Sequence, residues 1–176
     1  MAESQAQARP IRFTAAVARG LRESAVIAIA VAAIVLFIAL ATYSPADTGF
    51  SLAGASPAVH NRIGPVGAWL ADVLFFLAGR PAFLLPIMLA VSAWALHRRA
   101  QAERASRMNS AVRWGGFLLL LAASCGLATL NWQAVTLRET AGGVIGSLIG
   151  SGLEDGLGYL GATLLLLAAW MAGLSL

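Results

Sequence analysis

The stretch SAVIAIAVAAIVLFIALATY, residues 24–43, contains 20 residues and no charged side chain. An α-helix rises about 1.5 Å per residue, so about 20 apolar residues cross a hydrocarbon core about 30 Å thick. The rest of the chain has the same character. Of its 176 residues, 59% are hydrophobic and 11% are charged, whereas a soluble domain carries about 25% charged residues. The composition therefore excludes an ordinary soluble enzyme and predicts an integral membrane protein.

Three further apolar stretches extend this pattern along the chain. We expect them to cross the membrane as helices over residues 79–97, 114–131 and 156–176. Two shorter stretches, 66–78 and 141–153, would reach only about 20 Å as helices and are too short to cross. We therefore predict an all-α membrane protein with four transmembrane helices and two short interfacial or re-entrant helices that lie on the same side of the membrane.

Two charged residues explain why residues 67–96 are divided between a short helix and a span. One helix over that whole range would be about 45 Å long and would hold Asp72 or Arg80 at mid-membrane, at a cost of about 2.5–3.5 kcal/mol. A break near Pro81 avoids this cost, and proline is tolerated in a first helical turn. Residues 61–67, NRIGPVG, have the composition of a turn that precedes the short helix.

The arginines divide unevenly between the two sides of the predicted bundle. Nine lie in the basic tail 1–23 or in the connection 97–113, and three lie in the connections on the other side. By the positive-inside rule, we expect the tail and both termini to be cytoplasmic, with residues 24–176 forming a multi-pass membrane domain.

The first span shares one feature with a cleavable signal peptide. Residues 39–41, Ala-Leu-Ala, have the form of a signal-peptidase site, but a cleavable apolar region is usually about 7–15 residues long, whereas this one has 20 residues, so we expect an uncleaved anchor.

No Arg or Lys flanks the fourth span after Leu176. We therefore expect the chain to be the N-terminal piece of a longer protein, with a protein that has a bare end as the alternative.

The residue counts exclude several kinds of catalytic and metal site. The chain contains no lysine, which excludes a Walker A phosphate loop and a Schiff-base lysine. Cys125 is the single cysteine, so no internal disulfide or multi-thiolate metal site can form. His60 and His97 are expected on opposite sides of the membrane and cannot share a metal ion. No catalytic, cofactor-binding or metal-binding residue is predicted.

An ion or proton pathway would need polar or ionisable groups within the membrane. The bodies of the first, third and fourth spans contain no ionisable group. A pore lined by Ser92, Ser124 and Thr129 is still compatible with the sequence. A small multispan channel or transporter therefore stands as the alternative function, whereas an intramembrane enzyme lacks the required constellation of residues.

Small residues recur at the four-residue spacing that lets helix backbones approach closely in membranes. We predict close helix packing, within or between subunits, at these positions: Gly142, Gly146, Gly150, Ala122, Gly126, Ala169 and Gly173.

Several stretches of the chain resemble the N-terminal four-span membrane domain of FtsK-type DNA translocases, the FtsK/SpoIIIE family. The most specific is HNRIGPVGAWLADVLFFLAGRPAFLLP at residues 60–86. The others are YSPAD at 43–47, SCGLATL at 124–130, GGVIGSLI at 142–149 and AWMAGLSL at 169–176. The resemblance covers roughly residues 20–176, and the small-residue rows within it are the less specific part.

The resemblance implies a function in cell division and chromosome segregation. Members of the family anchor a linker and a cytoplasmic hexameric ATPase motor to the bacterial inner membrane at the division septum, where the motor translocates double-stranded DNA. The motor is absent from this chain, so ATP and Mg²⁺ are expected as cofactors of the motor alone, and DNA as its partner alone. The partners expected for this chain are the lipid bilayer, septal divisome membrane proteins and further copies of itself, as a hexamer in the full-length protein. The chain itself is expected to be a membrane anchor and scaffold, not an enzyme.

The short helix over 66–78 is the predicted contact surface on the periplasmic side. Its large apolar residues recur at helical spacing, which suits either a helix lying in the membrane interface or a lid packed over the bundle. We expect contacts with periplasmic or septal partners at Trp69, Asp72, Phe75 and Phe76.

Overall fold

Helices account for nearly all of the chain that the computed structural model describes, which is residues 9–47, 49, 59–99, 107–132 and 141–176. Within this part there are five α-helices and one 3₁₀ helix. They are α1 (Arg9–Ala41), α2 (Pro65–Ala78), the 3₁₀ helix (Arg80–Phe83), α3 (Leu84–Arg99), α4 (Arg107–Asn131) and α5 (Gly143–Ser175).

Four helical segments are long and apolar enough to cross a membrane. They are Arg19–Ala41, Arg80–Arg98, Val112–Asn131 and Gly143–Ser175. The prediction of an all-α membrane protein is thus confirmed. α1 has 33 residues and would be about 50 Å long, so it continues well beyond the apolar stretch, and the basic tail is helical from Arg9.

Glycine and proline set the boundaries of α2. Gly64 has a φ of 80° and precedes Pro65 in the first turn, a position where a missing N–H costs nothing. Gly79 ends the helix with a φ of 60° and donates its N–H to the Phe75 carbonyl at 2.8 Å. The next element begins at Arg80, so the charged residue lies at the start of the span.

The break in α5 differs from the one that the sequence predicts. The sequence divides this region at the acidic pair Glu154 and Asp155, between the short helix 141–153 and the span 156–176. In the structure both acidic residues are helical and exposed, and the chain breaks at Gly158, with φ 69° and ψ 167°. Glycine reaches this backbone conformation without the steric cost of a Cβ atom, and the two carboxylates remain accessible to solvent.

The helices pack as two antiparallel pairs joined by α2. α3 lies along α1, with Phe37 beside Phe83 at one end and Val26 near His97 at the other. α4 lies along the part of α5 after Gly158, from Asn131 beside Tyr159 to Gly116 beside Gly173. α2 contacts both α1 and α5. The core lies under α2 and consists almost entirely of small side chains: Ala39, Leu40, Ala71, Ala78, Ala82 and Cys125. The end of the bundle that carries α2 is called the α2 end below, and the opposite end, which carries Arg98 and Arg113, the arginine end.

Candidate functional site

A cluster of polar residues lies at the α2 end, where the chain leaves α1 and later enters α2. Its three most deeply buried members are Asp47, Asn61 and Asp72, at 5%, 4% and 6% exposure. We refer to the following set as the polar cluster: Thr42, Tyr43, Asp47, His60, Asn61 and Asp72. Burial of polar groups is costly unless they are hydrogen-bonded, and each member of this set has hydrogen-bond partners.

Asp47 joins the segment after α1 to the segment before α2. One carboxylate oxygen accepts the His60 N–H at 2.8 Å and lies 2.9 Å from the His60 Nδ1 atom, and the other accepts the Asn61 N–H at 2.9 Å. Burial of the carboxyl raises its pKa, but these hydrogen bonds and the charge of His60 outweigh burial, so the pKa of Asp47 is lowered from 3.8. The folded protein therefore favours the ionised carboxylate.

Asn61 caps the C-terminal end of α1. Its Nδ2 donates to the Ala39 carbonyl at 2.8 Å, and its Oδ1 accepts the Ile63 N–H at 3.0 Å. The last carbonyls of a helix have no partner within the helix, and Ala39 is fully buried. The side chain thus satisfies a carbonyl that water cannot reach.

Thr42 adds a second link to the same end of α1. Its hydroxyl donates to the Ile38 carbonyl at 2.7 Å and accepts the Arg62 N–H at 3.1 Å. Together with Asn61, it fastens the turn at 61–64 onto α1. Sequence reasoning assigned this turn but missed the roles of Asp47 and Asn61; the combination of asparagine with Gly-Pro three residues later was the available signal.

Asp72 is turned inward from α2 toward α1. Tyr43 donates its hydroxyl to the Asp72 carboxylate at 2.9 Å, and the Tyr43 ring packs on Phe75 with centroids 4.7 Å apart. Phe75 in turn contacts Phe83 edge to face at 5.9 Å. A polar contact and an aromatic stack therefore hold the same face of α2 on the bundle.

The structure divides the four predicted contact residues of α2 into two groups. Trp69 and Phe76 are 51% and 43% exposed, whereas Asp72 is buried and Phe75 is half-buried. The inward face of α2 is made of Gly67, Ala68, Ala71, Asp72 and Ala78. α2 thus packs as a lid through its small residues and turns large apolar residues outward, and we retain Trp69 and Phe76 as candidate contacts.

The glycines at the start of α5 lie against α4 in the same chain. A Cβ atom at Gly142 or Gly146 would overlap the Cys125 carbonyl oxygen and the Thr129 hydroxyl, and one at Gly150 would come within 2.9 Å of the Gly126 carbonyl oxygen. The first segment of α5 therefore crosses α4 at backbone contact.

The C-terminal end of α2 packs against the point where α5 crosses α4. Gly143 has a φ of 66°, and a Cβ atom there would overlap the backbone of Leu77. Cys125 donates its thiol to the Ala78 carbonyl at 3.4 Å, and the Arg80 N–H donates to the Ala141 carbonyl at 3.1 Å. Three separate parts of the chain thus meet at one point.

The remaining predicted small residues lie along the pair formed by α4 and α5. Gly126 contacts Leu166, and Gly173 lies against the backbone of Gly116 and Leu120. Ala122 and Ala169 are half-buried. Packing between subunits at any of these positions remains a prediction.

Two arginine–tryptophan pairs mark the two ends of the bundle. The Arg80 guanidinium lies 5.8 Å from the centroid of the Trp132 ring at the α2 end, and that of Arg98 lies 4.1 Å from Trp94 at the arginine end. The 18 helical steps from Arg80 to Arg98 correspond to about 27 Å, close to the thickness of a hydrocarbon core. Tryptophan and arginine favour the membrane interface, so both pairs suit the two boundaries of one bilayer.

The described residues hold no group of three His, Cys, Asp or Glu side chains that could bind a metal ion. The polar cluster joins segments of backbone, and its contacts are those of a structural site.

Comparison with known proteins agrees with this architecture. Residues 18–176 match the model of a family described as the 4TM region of DNA translocase FtsK/SpoIIIE. A DNA translocase FtsK from Vibrio vulnificus (strain CMCP6) is 40% identical over 142 residues, which is 80% of this chain and 14% of the relative. One from Shewanella oneidensis is 34% identical over 171 residues, 97% of this chain and 19% of the relative.

The chain thus spans 14–20% of the length of the curated relatives it matches. No solved structure matches it. Because the family model covers nearly all of the four-helix fold and the relatives agree with it over most of the chain, the resemblance seen in the sequence is confirmed: this chain belongs to the family of the 4TM region of DNA translocase FtsK/SpoIIIE.

Proposed function

We propose that this chain is the inner-membrane anchor of a septal DNA translocase. The observation that carries the proposal is the match of residues 18–176 to the family model of the 4TM region, together with relatives named DNA translocase FtsK that extend far beyond the matched part. Four helices that cross the bilayer would hold a cytoplasmic hexameric ATPase motor at the membrane during chromosome segregation. The chain carries no catalytic step of its own in this proposal.

We further propose that both termini and the arginine end face the cytoplasm. Four arginines with described side chains support this orientation: Arg19, Arg22, Arg98 and Arg113. Basic residues that flank spans are retained on the cytoplasmic side. The α2 end, with the polar cluster, would then face the periplasm.

Cysteine labelling in intact cells tests the orientation. The native cysteine is fully buried and is replaced by alanine, Cys125→Ala, and single cysteines are then introduced as Val66→Cys and Arg19→Cys. A membrane-impermeant maleimide is expected to label position 66 in intact cells, and position 19 only after permeabilisation. The reverse pattern would contradict the proposed orientation.

The outward face of α2 is our candidate for contact with septal membrane proteins. Val66, Trp69, Phe76 and Leu77 are exposed on it, at 75%, 51%, 43% and 39%. Large aromatic residues with fixed backbones contribute strongly to protein interfaces. Because α2 is held by its opposite face, truncation of Trp69 is expected to leave the packing of that face in place.

Septal recruitment of a fluorescent fusion tests this contact. The double variant Trp69→Ala/Phe76→Ala is expected to reach the membrane at normal levels but to lose enrichment at the septum. The matched control, Leu164→Ala/Met171→Ala, removes exposed apolar residues of α5 and is expected to keep it. Normal enrichment of the α2 variant would refute the assignment.

Self-association completes the proposal. A motor that works as a hexameric ring would bring six membrane domains together, and we propose that they contact one another in the bilayer. Native mass spectrometry of the protein in mild detergent is expected to show oligomers, and a purely monomeric distribution would contradict it.

A further inference from the structure

An apolar groove separates the two helix pairs toward the arginine end. It has a volume of about 470 Å³ and is lined by α3 from Leu84 to Leu96 on one side and by α4 and α5 on the other. Phe117 and Leu174 face it from the opposite pair. The α1–α3 pair and the α4–α5 pair are joined by α2 and the 3₁₀ helix at the other end, so the groove is a gap that the bundle itself does not fill.

The length of the groove is similar to the thickness of one leaflet of a bilayer. The 12 helical steps from Leu84 to Leu96 correspond to about 18 Å, and half of a hydrocarbon core is about 15 Å. With Arg80 and Arg98 at the two membrane boundaries, the groove begins about 6 Å inside the boundary at the α2 end and ends about 3 Å short of the boundary at the arginine end. An acyl chain that lies beside α3 has this same extent.

The charge of the groove is concentrated at its outer end. Among the described residues that line it, Arg113 alone is charged, and Trp114 lies next to it. Both side chains are exposed. An arginine at the mouth of a pocket between membrane helices is suited to the phosphate of an anionic headgroup.

The surrounding charges favour a lipid over a second copy of the chain. The described side chains at this end include Arg19, Arg22, Arg98 and Arg113, opposed by the carboxylate of Glu23. A second copy inserted in the same orientation would bring the same excess of positive charge to the same level of the membrane. An anionic lipid instead brings a complementary charge together with an apolar tail.

We propose that this groove is a binding site for an anionic phospholipid, with one acyl chain between α3 and α4 and the headgroup phosphate at Arg113. The bound lipid fills the space between the two helix pairs and completes their packing. The site is independent of the DNA translocase assignment, because it follows from the groove and its charge.

Native mass spectrometry tests the site with defined lipids. The protein in mild detergent is offered an equal mixture of phosphatidylglycerol and phosphatidylcholine with identical acyl chains, and the bound lipids are counted. One arginine near a bilayer surface corresponds to about a fivefold preference for an anionic lipid, so we expect about fivefold more phosphatidylglycerol to remain bound. Arg113→Gln is expected to abolish the preference.

Two further variants test whether lipid binding depends on Arg113 and on the groove, and not on positive charge in general or on a loss of folding. Arg62→Gln removes an exposed arginine at the α2 end and is expected to leave the preference unchanged. Ser92→Phe places a ring in the groove and is expected to reduce retention of both lipids, with circular dichroism as the control for helix content. Equal retention of the two lipids by the unmodified protein, or equal effects of Arg113→Gln and Arg62→Gln, would overturn the proposal.

A photoactivatable lipid locates the bound molecule directly. Phosphatidylglycerol with a diazirine near the end of one acyl chain is expected to label residues that line the inner part of the groove, such as Leu84 and Leu120. Labelling confined to α2 or to outward faces of α5 would refute the assignment. So would a disulfide between two copies of a Phe117→Cys variant, because a second copy would then occupy the groove.

Discussion

Replacement of Asn61 by alanine is the sharpest test of the polar cluster. The substitution removes three hydrogen bonds, from Nδ2 to the Ala39 carbonyl at 2.8 Å and to the Thr42 carbonyl at 3.4 Å, and from the Ile63 N–H to Oδ1 at 3.0 Å. All three backbone partners then lose their contact with this side chain, and Ala39 is fully shielded from solvent. An unsatisfied buried group costs about 1–3 kcal/mol, so we expect a loss of about 2–4 kcal/mol in the free energy of unfolding.

The assay is unfolding by sodium dodecyl sulfate in mixed micelles, followed by tryptophan fluorescence. Asn131→Ala is the matched control, because this asparagine side chain also donates and accepts hydrogen bonds, to the Leu127 carbonyl and from the Tyr159 hydroxyl, but is exposed. Water can replace both contacts, so the control is expected to lose less than about 1 kcal/mol.

The free energies of unfolding of the two variants show whether the buried contacts of Asn61 stabilise the protein. If Asn61→Ala and Asn131→Ala unfold with the same free energy, burial of the Asn61 contacts contributes nothing, and the cap on α1 is not what holds the turn before α2. If Asn61→Ala unfolds in two steps, the α2 end separates from the rest of the bundle first, which contradicts unfolding of the whole bundle as one cooperative unit.

Two further predictions address the same end of the bundle. Because hydrogen bonds lower the pKa of Asp47 from 3.8 in the folded protein, the contribution of this carboxylate to stability is complete above that pH and is lost as the pH falls through the lower folded pKa. Asp47→Asn should therefore flatten the dependence of the unfolding free energy on pH below about 4. An unchanged slope in acid titrations would contradict this prediction. Gly143→Ala combines a positive φ with overlap on the backbone of Leu77 and should cost about 2–5 kcal/mol in the same unfolding assay. Gly158→Ala has open space but a backbone conformation, φ 69° and ψ 167°, that is essentially restricted to glycine, and it should cost about 1–3 kcal/mol. Gly152→Ala, helical and unobstructed, should be neutral or stabilising by up to about 1 kcal/mol. Equal values for the three glycines would refute the reasoning.

The spacing of apolar residues did not predict which face of α2 packs against the bundle. The spacing of its large apolar residues allowed either an interfacial helix or a lid, and the sequence could not choose. In water the apolar stripe of a helix faces the core, but a bilayer removes that preference because lipid is as apolar as leucine. The small residues and Asp72 face inward, and Trp69 faces outward.

The position of the break in α5 was also not predicted from the sequence. The predicted bounds of the short helix and the fourth span left Glu154 and Asp155 between them. The chain instead keeps them helical and exposed and turns at Gly158. With five glycines between residues 142 and 152 and further ones at 156, 158 and 161, local composition offers several possible hinges, and the contacts with α4 decide among them.

The sequence by itself determined the fold class and the family. The lengths of the apolar stretches follow directly from the thickness of the bilayer, so they can be read one segment at a time. The stretch at residues 60–86 is specific enough to indicate the family from its order of residues alone.

Tertiary structure alone decided which residues meet. Asp47 and Asn61 are 14 residues apart and Tyr43 and Asp72 are 29 apart, so no helical or strand periodicity links them. The groove beside Arg113 likewise depends on how two helix pairs are joined at their far end. Local spacing reports the environment of each segment, whereas contacts between distant segments depend on the packing of the whole bundle.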